Sequence, residues 1–70
     1  MKLSARNQLQ GTVRNVELGT VMAEVTVDVG GQQIVSAITR ASAERLALAE
    51  GRPVTVFIKA TEVLLGVDET

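Results

Sequence analysis

The chain has no cysteine, histidine, tryptophan or tyrosine, and only one phenylalanine and one proline among its 70 residues. Without cysteine no disulfide can staple it, and without cysteine and histidine the usual zinc ligand sets are excluded. The missing His, Cys and Tyr also remove most of the groups that do acid–base and nucleophilic work. What remains is eight carboxylates, the lysines and the arginines, and no two carboxylates stand out as a general acid and base. One nucleophile arrangement can be written, Ser4 activated by Lys59, but no oxyanion hole or substrate pocket accompanies it. The chain does not read as an enzyme.

Two further absences narrow the partners. Barrels that bind single-stranded nucleic acid use aromatic stacking platforms and basic grooves, whereas this chain has Phe57 alone and a net charge of -1. Phe57 is expected in a core or an interface, and nucleic acid is not an expected partner. No apolar run approaches the length of a membrane span, so no membrane partner is expected either. The opening "MKLSARNQ" turns polar after three residues, unlike a signal peptide. A cytoplasmic protein is the expectation, and the lack of cysteine agrees with it.

Residues 1–70 read as one domain, with no repeat, linker or low-complexity tract. The hydrophobic share of 46% is mostly Val, Ala, Leu and Ile, which predicts a compact aliphatic core. At this length folding buries only about 60% of the surface exposed by the unfolded chain, so the core is marginal. With disulfides and zinc excluded, oligomerisation is the remaining common staple.

Alternation of period two predicts strands. "QLQGTVRNV" (Gln8–Val16) sets Leu9, Gly11 and Val13 against Gln10, Thr12 and Arg14. "VMAEVTVDV" (Val21–Val29) sets Val21, Ala23, Val25, Val27 and Val29 against Met22, Glu24, Thr26 and Asp28. Gly30-Gly31 is a hairpin signal, and "QQIVSAIT" (Gln32–Thr39) makes a third strand. "RASAERLALAEG" then changes period, with Ala43, Leu46 and Ala47 on one helical face; Thr39 can cap its start, and Gly51 with Pro53 can end it. "VTVFIKA" (Val54–Ala60) and "VLLGV" (Val63–Val67) are the fourth and fifth strands, before an acidic tail, "DET".

Three strands, a helix and two strands are the order of the OB-fold, so the expected fold is all-β: a five-stranded Greek-key barrel with one short helix between strands 3 and 4. The last two strands are apolar on both faces. A small barrel has one inside, so the second face predicts a subunit interface.

The donor inventory points to anions. Arg6 offers five donors and no acceptor, Lys59 three, and small neighbours beside each (Ser4 and Ala5; Ala60 and Thr61) let backbone N–H groups approach a ligand. The helix start after Thr39 adds unpaired N–H groups. The plainer readings are a solvated Arg6 at a frayed terminus, a Lys59–Glu62 pair and a Thr39 that only caps. On spacing alone these are favoured, since isolated surface charges need no function.

Three stretches together carry more. "SARNQLQGTV", "VMAEVTVDVGGQQIVSAIT" and "VFIKATEVLLGV" resemble the molbindins, the Mop-like or molybdenum-pterin-binding proteins with a TOBE-type domain, over about Lys2 to Val67. The resemblance implies an OB-like barrel assembled as a homo-hexamer, a trimer of dimers, that holds molybdate or tungstate at subunit interfaces. Matched by position, its oxyanion contacts fall on Ser4, Ala5, Arg6 and Asn7, on Ile38 and Thr39, and on Lys59, Ala60 and Thr61, converging from different subunits. A second class of site near the threefold axis occurs in some members and has no assigned residues here. Related domains occur in molybdate-responsive regulators and transporter ATPases; this chain shows neither a helix-turn-helix nor a P-loop, so storage or homeostasis is the expected role. The alternative is a structural or regulatory interaction module with weak or vestigial sites. A molybdopterin-type organic cofactor is suggested only by the older family name, and no aromatic or Gly-rich loop supports it.

Overall fold

The computed structural model describes residues 1–69; Thr70, the last residue of the acidic tail, lies outside them. Four strands form one antiparallel sheet in the order β3-β2-β1-β4. They are β1 (Asn7–Leu18), β2 (Met22–Val29), β3 (Gln32–Thr39) and β4 (Pro53–Ile58), with helix α1 (Arg40–Arg45) after β3 and a 3-10 turn at Ala60–Glu62. None of the described helices is long and apolar enough to cross a membrane.

One face of the sheet carries the core. Val13, Val25 and Val27 are its buried centre, with Val16, Val29, Ile38, Leu48, Val54 and Val56 packed around them. Val21, expected on the inner face with them, lies in the bend before β2 and is 69% exposed, since the turn after Leu18 takes it out of the ladder. From Met22 on, β2 follows its expected alternation, with Ala23, Val25 and Val27 pointing inward. β1 does not. Its pairing with β2 slips between Val13 and Asn15, a bulge that takes up Arg14 and returns Val16 to the inner face opposite Val25. Strict alternation would have sent Val16 outward, because Val13 and Val16 are an odd number of residues apart.

Gly30 and Gly31 turn the β2–β3 hairpin with φ of 57° and 87°, the two positive angles that a type I′ turn requires. Gly11 is needed for a different reason. A Cβ there would lie 2.6 Å from the Asp28 carbonyl oxygen and 2.7 Å from Val27 Cγ1, closer than real contacts allow. Gly11→Ala is therefore expected to force β1 and β2 apart and to cost about 1–3 kcal/mol. Thermal unfolding checks this, and an unchanged midpoint would show that β2 can retreat freely.

The helix is shorter than its apolar spacing suggests. Thr39 caps it as expected, its Oγ1 accepting from the Ser42 N–H at 3.1 Å. The last helical residue is Arg45, and Ala47 takes a left-handed φ of 52°. Of the predicted apolar face only Ala43 is buried; Leu46 and Ala47 are exposed, and Leu48 packs on the core instead. Pro53 does not end the helix but opens β4 opposite Thr12, a strand start where its missing N–H is tolerated.

The fifth strand is also a correction. Residues 63–67 follow the 3-10 turn without regular structure, and Leu64, Leu65 and Val67 are 93%, 93% and 87% exposed. Among the described residues the fold is thus a four-stranded antiparallel sheet with one short helix. Between β3 and β4 the core is open: an apolar groove of about 200 Å³ is lined by Val13, Val25, Val27, Ile38, Leu48 and Val56, with Phe57 at its side.

Candidate functional site

Register places two of the three predicted donor stretches together. Asn7 is paired with Ile58 at the end of the β1–β4 ladder, so Arg6 and Lys59, one residue further out on each strand, flank the same end of the sheet. The Asn7 side chain fastens that end by donating from Nδ2 to the Ile58 carbonyl at 3.1 Å. Gln8 holds the preceding bend, its Nε2 donating to the Ala5 carbonyl at 2.9 Å. The "SARN" stretch is therefore folded back by its own neighbours. Ser4 and Arg6 are exposed there and Ala5 is half-buried.

Lys59 is the residue from which the 3-10 turn springs, and its carbonyl accepts from the Glu62 N–H at 2.9 Å. Lys59, Ala60 and Thr61 are all exposed. Ion pairs among the described residues join Arg14 to Asp28 at 3.7 Å and Arg40 to Glu44 at 3.0 Å. Neither Arg6 nor Lys59 takes part in one, so the expected alternative pairing of Lys59 with Glu62 does not form. Two cations sit at one sheet end with hydroxyl and amide groups and no carboxylate in contact, a setting that attracts an anion.

Ile38 and Thr39 are not part of that cluster. Thr39 is paired with Met22, next to the turn that follows Leu18, whereas Arg6 precedes Asn7 at the opposite end of β1. Eleven residue steps of strand separate those ends, about 36 Å. Ile38 packs its side chain on the core, which leaves only its main chain for a ligand. The Thr39 hydroxyl is occupied as well: it accepts from the Ser42 N–H and donates to Ser42 Oγ at 2.8 Å. That arrangement leaves the Ser42 hydroxyl hydrogen as the donor of the pair. Ser42 was not among the expected residues; an N-cap threonine predicts the contact with its backbone N–H at N3, but not the hydroxyl–hydroxyl bond.

Arg40 binds this second cluster to the β1–β2 turn. Its N–H donates to the Val21 carbonyl at 2.7 Å, and its Nη1 donates to the Gly19 carbonyl at 3.3 Å. The helix start is thereby held at the far end of the sheet.

A family model described as the TOBE domain matches residues 3–65, and molybdenum-pterin-binding proteins align with nearly the whole chain. The chain belongs to the molybdenum-pterin-binding TOBE family. Among its TOBE relatives, molybdenum-pterin-binding protein 3 of Clostridium pasteurianum is 44% identical over 66 residues, which span 93% of this chain and 97% of the relative. A molybdate-binding protein from Sporomusa ovata has the same fold with a TM-score of 0.91 and 43% identity, covering 96% of this chain and all of the other. The structure of ModG, a cytoplasmic molybdate-binding protein with molybdate bound, gives a TM-score of 0.92 and 45% identity. It matches 97% of this TOBE chain and 49% of its own.

Proposed function

We propose that the protein binds molybdate or tungstate dianions in sites shared between copies of the chain, and that it serves molybdenum storage or homeostasis in the cytoplasm as a binding protein without catalytic chemistry. The observation that carries this reading is the placement of Arg6 and Lys59 just beyond the Asn7–Ile58 pair at one sheet end, neither of them in an ion pair among the described residues. Relatives of the same length are molybdenum-pterin-binding or molybdate-binding proteins, and one of matching fold is a cytoplasmic molybdate-binding protein.

In this reading Arg6 and Lys59 supply charge, Ser4 and Thr61 supply hydroxyls, and Asn7 supplies its remaining amide hydrogen. Ala5 and Ala60 keep the backbone accessible. Ile38 and Thr39, about 36 Å away along the same chain, reach the ligand from a second copy.

Surface area supports assembly. The chain exposes 5812 Å², while a compact monomer of its mass exposes about 4,200 Å². The excess is about twice the 800 Å² that one partner contributes to a standard interface. Much of it lies on the apolar segment 63–67 and in the open groove between β3 and β4. We read the segment as the fifth strand, formed when it lies along the groove of a second copy and closes that copy's barrel. Dimers made in this way are the units of a hexamer, a trimer of dimers.

Titration calorimetry of the assembled protein with molybdate, sulfate and phosphate is the test. Molybdate and tungstate are fully ionised at neutral pH and want donors only. Hydrogen phosphate brings a proton that a donor-only site leaves unpaired, at a cost of about 1–3 kcal/mol. Molybdate is expected to bind at least tenfold more tightly than phosphate. No heat with molybdate, together with normal assembly, would refute the reading and favour an interaction module.

A further inference from the structure

The end of the sheet where β1 turns into β2 carries an apolar patch framed by carboxylates. Leu18 and Met22 are each 49% exposed, and with Gly19, Ala23 and Ala37 they line a shallow depression of about 390 Å³ rimmed by Glu17 and Glu24. Glu17 and Glu24 are direct cross-strand partners, a like-charge pairing that disfavours the sheet unless a cation sits between them. Neither is in an ion pair among the described residues.

We propose that this patch receives the N-terminal segment of a second copy, with Lys2 between Glu17 and Glu24 and Leu3 on Met22 and Ala37, which share their face of the sheet. The chemistry of the segment complements the patch. Met1 and Leu3 are 92% and 51% exposed, they alternate with cationic Lys2, and Lys2 has no ion pair within the chain among the described residues.

The segment cannot reach the patch of its own chain. It joins the sheet at Asn7, about 33 Å along β1 from Glu17, and five extended residues reach about 18 Å. Segment and patch lie at opposite ends of β1. Two copies lying antiparallel therefore satisfy both contacts at once, as a closed two-fold arrangement requires.

This contact deepens the oxyanion reading and rests on it in one respect, the joining of Arg6 to Thr39. Thr39 is the register partner of Met22, two residues along from Glu24 and one strand across, about 8 Å away. From Lys2 to Arg6 an extended chain spans at most about 14 Å. A segment anchored through Lys2 on Glu17 and Glu24 thus has the length to bring its Arg6 to the Thr39 and Ser42 hydroxyls of its partner. The carboxylates stay clear of the anion and hold the arm that delivers the cation.

The test is a charge swap in the full chain, read by sedimentation equilibrium and by molybdate titration, with circular dichroism melts to confirm folding. E17K/E24K is expected to weaken assembly at least tenfold in low salt and to lower molybdate affinity with it. Adding K2E to that variant is expected to restore both. Assembly unaffected by E17K/E24K, or not restored by K2E, overturns the proposal and leaves the patch to a basic segment of another protein. Because assembly is measured without molybdate, a wild-type protein that fails to bind the anion counts against the oxyanion reading alone.

Discussion

Arg6→Ala and Lys59→Ala are each expected to weaken molybdate binding by at least about tenfold, and the double variant is expected to abolish it. The two cations flank one sheet end and, among the described residues, neither is in an ion pair with a carboxylate. A dianion held there in a desolvated interface depends on both charges. Removing one partner of a buried, hydrogen-bonded charge pair costs about 2–5 kcal/mol, much of it from leaving the other charge unpaired. Each substitution lies outside the sheet, so the fold should persist. Calorimetric titration of the folded variants decides the matter, with Arg45→Ala on the exposed side of the helix as control. Wild-type affinity in both single variants would move the site elsewhere.

The second large effect is expected from Leu65→Asp. Leu65 is 93% exposed in the single chain, so the substitution should leave the monomer's fold intact and even make it more soluble. In the proposed assembly the same position lies against an apolar groove. Burial of a leucine side chain is worth about 1.5–3 kcal/mol, and an unpaired carboxylate there adds a larger penalty. Two such contacts occur in each two-fold dimer. Leu65→Asp is expected to run as a monomer in sedimentation or native mass spectrometry at concentrations where the wild type is assembled. A variant that assembles normally would show that residues 63–67 do not cross between copies.

Much of the architecture was legible because β-sheet period and turn chemistry are local properties. The valines of β2, the Gly30-Gly31 turn and the Thr39 cap all stand where short-range rules put them. The misreadings share a cause, which is that the deciding partner is distant in sequence. Val16 faces inward because β2 fixes the register beyond the bulge at Arg14. Leu46 and Ala47 keep helical spacing, yet Ala47 turns left-handed while Leu48 takes the place on the core. Residues 63–67 alternate like a strand but pair with neither free edge of their own sheet, so the pattern alone implied a partner without saying which.

The site divides in the same way. "SARN" and "KAT" could be joined on paper only through the resemblance, whereas the Asn7–Ile58 pairing joins them directly. Composition showed that Thr39 carries a hydroxyl. It did not show that Ser42 engages that hydroxyl and is left holding the free hydrogen. Which hydroxyl can donate is a question of hydrogen-bond partners, and those depend on the fold of the helix start.

The sheet's two outer strands, β3 and β4, each present an unpaired row of backbone groups in the single chain. Such rows are templates for any extended segment, the correct one or not. In the proposed assembly, docking with a sister copy therefore competes with out-of-register stacking of newly made chains. The Lys2 and Glu17–Glu24 charges act over a longer range than apolar contact, and they sit at opposite ends of the strand. They would orient approaching copies antiparallel before the edges touch, so that the same electrostatics that position the arm also guard against aggregation.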